Sequence, residues 1–515
     1  MKTHQIRPEP VKFSLNVLES LVRKDLSDQP QLSQECWFPT YAARQIEALR
    51  KKNLDSAPIS PRVRRDSTIQ SFQHLDSEMR DFVVDPSDRG ELVQIAVGEA
   101  ISLAHSIVGE LDLSVFKRCL GSVMFGPGQT YGSTSQADAQ LHRKVSGEQT
   151  VTPHAEPYIP LLLRENPSWN FLKKYRVVRG NRVTVVPKTA TTDRTIAIEP
   201  SINLLLQRGV DLYLRSRLER YGVDLSDQTL GHPLAQRGSV DGSYATIDLS
   251  SASDTISIDV VKRFLPSDWY VFLDDLRSPE YTLDKGKTWN TYSKFSSMGN
   301  SFTFPLESLI FYAVARSCTD LCGSGKVVVY GDDIIVPGNA ALLTMEVLEV
   351  LGFIPNRAKS FCTGSFRETC GHDYLSGVDI RPIYLSKNPA HEVEVYNLFN
   401  RLLNNRQGVV YHDTLEYLFS LVRRPKYIPR FYGAGDDWTM WKPFLSAEYD
   451  AGFMVPKWWV ERAIRPTFHA GYQSMVIKHK VWRKQAPNIY TNPEVHYFVG
   501  LYTGSFDIKD FSRAV

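Results

Sequence analysis

Cysteine is scarce in this chain. Six residues in 515 (Cys36, Cys119, Cys318, Cys322, Cys362 and Cys370) are scattered along it, which argues against a disulfide framework. Cys318 and Cys322 lie one helical turn apart, and Cys362, Cys370 and His372 offer further ligands, but the spacing is not that of a zinc ribbon. Long apolar runs are missing as well. The opening MKTHQIRPEP has no signal-like apolar core, and no segment approaches the length of a membrane span, so a soluble chain of a reducing compartment is expected. Charge of one sign is also lacking: 60 Lys and Arg against 57 Asp and Glu leave +3, too mild to mark a nucleic-acid binder by itself. There is no internal repeat and no low-complexity tract, which argues against a solenoid.

What is present is an ordinary globular composition, 42% hydrophobic and 23% charged, over a length that implies more than one domain or subdomain. Residues 1 to about 90 are charged and proline-punctuated, with a helical piece near Tyr41 to Lys52 and a basic loop, SPRVRRD, at Ser60 to Asp66. ELVQIAVGEAISLAHSIV (Glu91 to Val108) predicts a buried amphipathic helix. Phe125 to Ser135 is a Gly- and Ser-rich loop. Strands are expected at Arg176 to Val186 and Tyr244 to Leu249, and helices at Asp259 to Phe264, around Glu307 to Ala315, and at Ala340 to Leu351, where Gly352 ends the last.

One stretch, KVVVYGDDIIVP (Lys326 to Pro337), sets two adjacent acids between two β-branched runs. It predicts a hairpin with Gly331 at its turn and Asp332 and Asp333 pushed out at one edge. A bare Asp-Asp is ordinarily a solvated turn, and Gly-Asp-Asp recurs at Gly435 to Asp437 without flanking strands. The pair at Asp332 gains weight from its companions. Tyr244 to Asp248 is a short strand ending in a carboxylate, which would either cap the next helix or complete a cage of hard oxygen ligands for magnesium. FSSMGNSFTFPLE (Phe295 to Glu307) places Ser297, Gly299, Asn300 and Thr303 before an apolar helix, a turn fit either to start that helix or to hold a sugar or template backbone. From Lys173 to Arg194 seven basic residues stand against one acid, and alternation with β-branched residues predicts strands with a cationic face carrying Lys188 and Arg194 toward a triphosphate.

In order, the chain reads VPKTATTDRTIAIEP, ATIDLSSASDTIS, SSMGNSFTFPLES, VYGDDIIVP, GFIPNRAKSF and FRETCGHDYLSGVDIRP, from about Phe125 to Tyr384. This series resembles the catalytic replicase subunit of the small single-stranded RNA phages (leviviruses), an RNA-directed RNA polymerase. The resemblance implies an α+β right-hand fold with palm, fingers and thumb: residues 1–90 packing on the fingers, fingers over 91–243, palm over 244–390 with a fingers insertion near 265–295, and a helical thumb over 391–515. Trp438, Trp441, Trp458, Trp459 and Trp482 lie in that last region among lysines and arginines, either as a core or as stacking platforms for bases.

Carried over by position, Asp248, Asp332 and Asp333 match the aspartates that bind two magnesium ions, with manganese as a substitute. Lys188 and Arg194 match triphosphate contacts, Ser297, Gly299 and Asn300 the turn near ribose and template, and Lys359 a lysine near the leaving pyrophosphate. Many viral RNA polymerases have four residues between the first aspartate and the ribose-sensing one; here five separate Asp248 from Asp254. The resemblance further implies template and product RNA and nucleoside triphosphates as partners, and no membrane. It also implies host elongation factors Tu and Ts, a ribosomal protein, and the cytoplasm of an infected bacterium. Two rivals make different demands. A reverse transcriptase would usually carry another residue in place of Gly331, and a non-catalytic RNA-binding protein would bind RNA without divalent metal and make no product.

Overall fold

In the computed structural model, the apolar runs around the acidic pair form the hairpin they predict. Val328–Tyr330 and Asp333–Pro337 pair antiparallel, Tyr330 opposite Asp333, and Gly331 turns the chain at φ +60°. The structure describes residues 10–126, 128–132, 144, 148–423, 427–429 and 451–453. The second Gly-Asp-Asp at Gly435 and the tryptophans from Trp438 to Trp482 lie outside these.

Tyr244–Ile247 joins the hairpin as a third strand, Ile247 opposite Ile334, because Ala245, Ile247, Ile334, Ile335 and Val336 are apolar enough to be buried on both faces. Helix Thr303–Cys322 packs on this sheet, and Leu306, Leu309, Ile310, Phe311 and Val314 along it are fully buried. Against it lies helix Glu91–Val108, whose stripe of Val93, Ala96, Val97, Ala100, Ala104 and Ile107 has the spacing of one helical face. This helix corrects one expectation. By length and composition it could cross a membrane, with 18 residues at mean hydropathy 1.3. Its apolar stripe is instead turned into the core.

A second sheet pairs Asn181–Pro187 with Asp193–Ile198 antiparallel and extends through Glu280–Thr282 and Asn290–Thr291. A third, Phe366–Thr369, His372–Leu375 and Val378–Asp379, is an antiparallel meander. Helices with largely antiparallel sheets make the chain α+β, as expected. SPRVRRD is not a loop. It opens the helix Pro61–Glu78, where Pro61 takes the first helical position, the one place its missing N–H costs nothing. Arg64 forms a buried ion pair with Asp193, so the basic run is anchored and not merely solvated.

The chain divides into two units, one of residues 1–60, 188–191 and 382–515, the other of 61–187 and 192–381. In the first, helix Leu15–Ser27 packs on helix His412–Ser420, and buried Asp25 accepts the N–H groups of Asp413 and Thr414. Lys188 belongs to this unit. The other candidate site residues, Arg194, Asp248, Asp254, Ser297, Gly299, Asn300, Asp332, Asp333 and Lys359, lie in the second.

Candidate active site

Extending the Ile247–Ile334 pairing by one residue puts Asp248 opposite Asp333, at the end of the sheet where the hairpin turns. Asp332 occupies the turn and is exposed; Asp248 and Asp333 are partly buried. Three carboxylates therefore share one edge of a three-stranded sheet. Burial, reinforced by the charge of Asp332, pushes the Asp333 carboxyl up to about 6. Burial also raises Asp248, opposed by Lys359 and reinforced by Asp332. Among the described residues, Cys370 meets Asp333 with its backbone N–H and with its thiol, Sγ to Oδ2 at 3.4 Å, and Asn356 Nδ2 donates to Asp248 Oδ2 at 3.1 Å.

The segment after helix Ala341–Val350 is stapled alongside Asp248. Pro355 pairs with Leu249, Asn356 N–H donates to the Asp248 carbonyl at 2.8 Å, and Ser360 Oγ accepts the Asp248 N–H at 3.2 Å. This brings Lys359 Nζ to 3.8 Å from Asp248 Oδ2 while leaving its side chain half exposed. Asn356 was legible only as part of GFIPNRAKSF; nothing in its type marks it as a partner of Asp248. Glu307 was missed too. It is a buried acid inside an apolar helix, and its carboxyl is held well above the usual range by burial and then by Asp332 and Asp254.

Ser297 and Asn300 are buried while Gly299 is exposed, and the turn is braced by the helix it leads into. Asn300 Oδ1 accepts the Phe302 N–H at 3.0 Å, and Thr303 Oγ1 donates to the Ser297 carbonyl at 3.1 Å. The helix-start reading is thus realised, while Asn300 Nδ2 donates to no described residue. The near neighbour that Gly299 permits is protein backbone. At φ +120°, a Cβ there would sit 2.0 Å from the Ala197 carbonyl oxygen, and the Ala197 N–H donates to Met298 at 2.7 Å. The turn is therefore clamped to the strand that carries Arg194.

Arg194 is exposed and engages no acid among the described residues. The rest of the basic segment is less free than its composition implies, since Arg176 pairs with Glu148 at 3.0 Å and Arg179 with Glu280 at 2.6 Å. Lys188 is exposed in the loop after Pro187. Asp254 lies in the short turn Ala252–Asp254 and pairs with Lys294 at 2.6 Å.

Residues 77–444 match the family model described as RNA replicase, beta-chain. The RNA-directed RNA polymerase beta chain of Escherichia phage MS2 is 40% identical over 358 residues, covering 67% of this chain and 63% of that protein. The subunit beta of Enterobacteria phage SP is 46% identical over 368 residues (68% and 64%), and that of Escherichia virus Qbeta 43% over 320 (61% and 54%). The matches thus span between 54% and 64% of these relatives' lengths. Among solved structures, the RNA-dependent RNA polymerase of a human picorbirnavirus aligns at TM-score 0.45 and 14% identity, over 81% of this chain and 86% of that one. The family match begins well before Phe125 and ends well past Tyr384, so the likeness is broader than the motifs alone define. On that match, the chain belongs to the RNA replicase beta-chain family.

Proposed function

We propose that the chain is the catalytic subunit of an RNA-directed RNA polymerase that copies a viral single-stranded RNA genome. The observation that carries this is the convergence of Asp248, Asp332 and Asp333 on one sheet edge from segments some eighty residues apart. Their chemistry fits hard divalent cations. The acids repel, Asp248 and Asp333 are raised by burial, and few protein donors satisfy them. Asp248 and Asp332 would hold two magnesium ions, or manganese in their place, with Asp333 supporting one of them. Bound there, the metals supply charge neutralisation for the attacking and leaving oxygens of an in-line phosphoryl transfer.

The chain's own residues provide position and charge. Arg194 holds the triphosphate, and for Lys188 the family resemblance alone supports a triphosphate contact. The half-exposed Lys359 ammonium beside Asp248 holds the departing pyrophosphate. Asn300 Nδ2 offers a donor to the incoming sugar, and the Ser297–Asn300 turn sets its place relative to Arg194 through the clamp on Ala197. The nascent 3′-hydroxyl attacks the α-phosphate, and base pairing with the template chooses the nucleotide, so the protein holds RNA by shape and backbone. In this reading 244–390 is the palm, 91–243 the fingers, 1–90 an N-terminal region, and 391–515 the thumb. The family resemblance supports work in the cytoplasm of an infected bacterium, with elongation factors Tu and Ts and a ribosomal protein as partners.

The test is primer extension on an RNA template with ribonucleotides and Mg²⁺, with and without chelator. Asp332→Asn, which removes a ligand's charge without changing shape, is expected to abolish product while circular dichroism stays native. Asp436→Asn in the second Gly-Asp-Asp is expected to leave extension near normal. Equal losses in both variants would mean the wrong pair has been chosen, and RNA binding without product in any metal would leave only an RNA-binding protein.

A further inference from the structure

A buried cation stands behind Asp254. The Lys294 side chain has no exposed surface; its Nζ lies 2.6 Å from Asp254 Oδ1, 3.8 Å from the Phe72 ring centroid and 5.7 Å from that of Tyr292. A lysine this deep is rare and costs stability unless paired. Two apolar side chains of similar volume would serve the fold as well, so the pair calls for a reason beyond packing.

The backbone around Lys294 is fixed from two sides. Lys294 bridges to Ser257, and the Phe295 N–H donates to the Ile256 carbonyl at 2.8 Å, so the segment lies directly beside the turn that carries Asp254. From the other side, Asp76 of helix Pro61–Glu78 accepts the N–H groups of Ser293 and Lys294 at 3.0 and 3.1 Å. Among the described residues only one oxygen of Asp254 is engaged. Oδ2 receives no donor from a described residue, and the side chain keeps 15% of its surface exposed. The Ala252–Asp254 turn packs on helix Thr303–Cys322, which carries Glu307 and also packs on the hairpin strands on either side of Asp332.

We propose that Lys294 is a positioning residue for sugar selection. By holding Oδ1, it fixes the Asp254 carboxylate with Oδ2 free to accept a hydrogen bond from the 2′-hydroxyl of the incoming nucleotide. The choice of ribose over deoxyribose then depends on a lysine that touches no substrate, braced by Asp76 and Phe72. The inference rests on the polymerase reading above. It also assigns Asp254 a sugar contact despite the longer spacing of its motif, because the anchored carboxylate and not the residue count decides where the acceptor lies. A hydrogen bond to an ionised acceptor is stronger than one between neutral groups, so its loss penalises the ribonucleotide and leaves the deoxynucleotide, which never makes it, almost unaffected.

The experiment measures kcat/KM for matched ribo- and deoxynucleotides on a primed RNA template, using the full chain purified with its host partners. Lys294→Met is expected to lower the ribo-to-deoxy ratio about tenfold. Lys294→Gln, which keeps a donor of similar reach without the charge, is expected to lower it less, and it reports even where the methionine variant does not fold. The Lys294→Met/Asp254→Asn double variant is expected to match Asp254→Asn alone, because a residue acting only through Asp254 has nothing left to act on. An unchanged ratio in both single variants overturns the inference and leaves the polymerase reading standing, as does a double variant whose loss is the product of the two single ones. No product from the unsubstituted chain overturns both.

Discussion

Asp333 joins function to stability at the scale of one residue. Its carboxyl is raised from an ordinary 3.8 to about 6 by burial and by Asp332. A carboxyl raised on folding binds its proton more tightly in the native state than in the unfolded one, so the native state is favoured at low pH and loses that advantage as pH rises between 3.8 and 6. A rise of that size corresponds to roughly 3 kcal/mol, the order of magnitude by which the metal-free site strains the fold at neutral pH. Asp333→Asn is expected to raise the melting temperature of the metal-free chain at pH 8 by several degrees and to have little effect near pH 4, while abolishing nucleotide addition. Thermal melts in chelator across that range measure it. A variant less stable than the parent at pH 8 would mean that Asp333 is satisfied by groups other than a metal. Asn300 illustrates the opposite balance. Its buried Oδ1 accepts the Phe302 N–H in the turn before the helix, so Asn300→Ala is expected to cost about 1 kcal/mol in stability, along with any loss of sugar contact, and denaturant titration separates the two effects.

The hairpin was legible at the scale of the element because period, turn residue and boundaries agreed: β-branched runs, a glycine, and acids only at the turn. Its glycine is required twice over. Gly331 sits at φ +60°, and a Cβ there would lie 2.5 Å from Phe304 Cε2 and 3.3 Å from Glu307 Oε1. Gly331→Ala is therefore expected to cost about 1–3 kcal/mol and to reduce kcat more than it raises the KM for nucleotides, since it shifts the acids and not the triphosphate contacts. An alanine variant with native stability and unchanged kcat would show that the turn relaxes freely. Other elements were illegible for physical reasons. SPRVRRD has the composition of a loop although Pro61 opens a helix there, and the burial of Arg64 against the distant Asp193 is written nowhere in the stretch itself. Lys294 lies in a polar stretch, YSKFSS, where a lysine is ordinarily solvated; its burial comes from Phe72 and Asp254, far from it in sequence. Local pattern specifies elements, whereas pairings between distant residues are set by packing that no window of sequence contains.

On the polymerase reading proposed above, the question for the whole molecule is how a chain of net charge +3 would manage polyanionic substrates. Uniform charge cannot do it, so particular cations must remain unpaired where they are needed. The segment from Lys173 to Arg194 shows the division. Arg176 and Arg179 are tied to Glu148 and Glu280, whereas Arg194 stands exposed on the strand clamped to the Ser297–Asn300 turn and engages no described acid. A basic run of this composition looks like a general RNA clamp, yet Arg176 and Arg179 are already paired with acids, and of the exposed cations that remain Arg194 is the one on the strand clamped to the turn. Arg194→Ala is accordingly expected to raise the KM for nucleoside triphosphates about tenfold or more, as the loss of a charge-assisted phosphate contact implies. Its effect on template RNA should be small, with the slope of log affinity against log salt changing by no more than about one counterion. Lys188→Ala should act in the same direction but more weakly, because an ammonium makes a point contact where the guanidinium fork makes two. Steady-state kinetics in each nucleotide, alongside RNA binding titrated over salt, separates the two roles. Equal losses in both assays would make the segment an RNA clamp after all, and would move the triphosphate site away from the Arg194 strand.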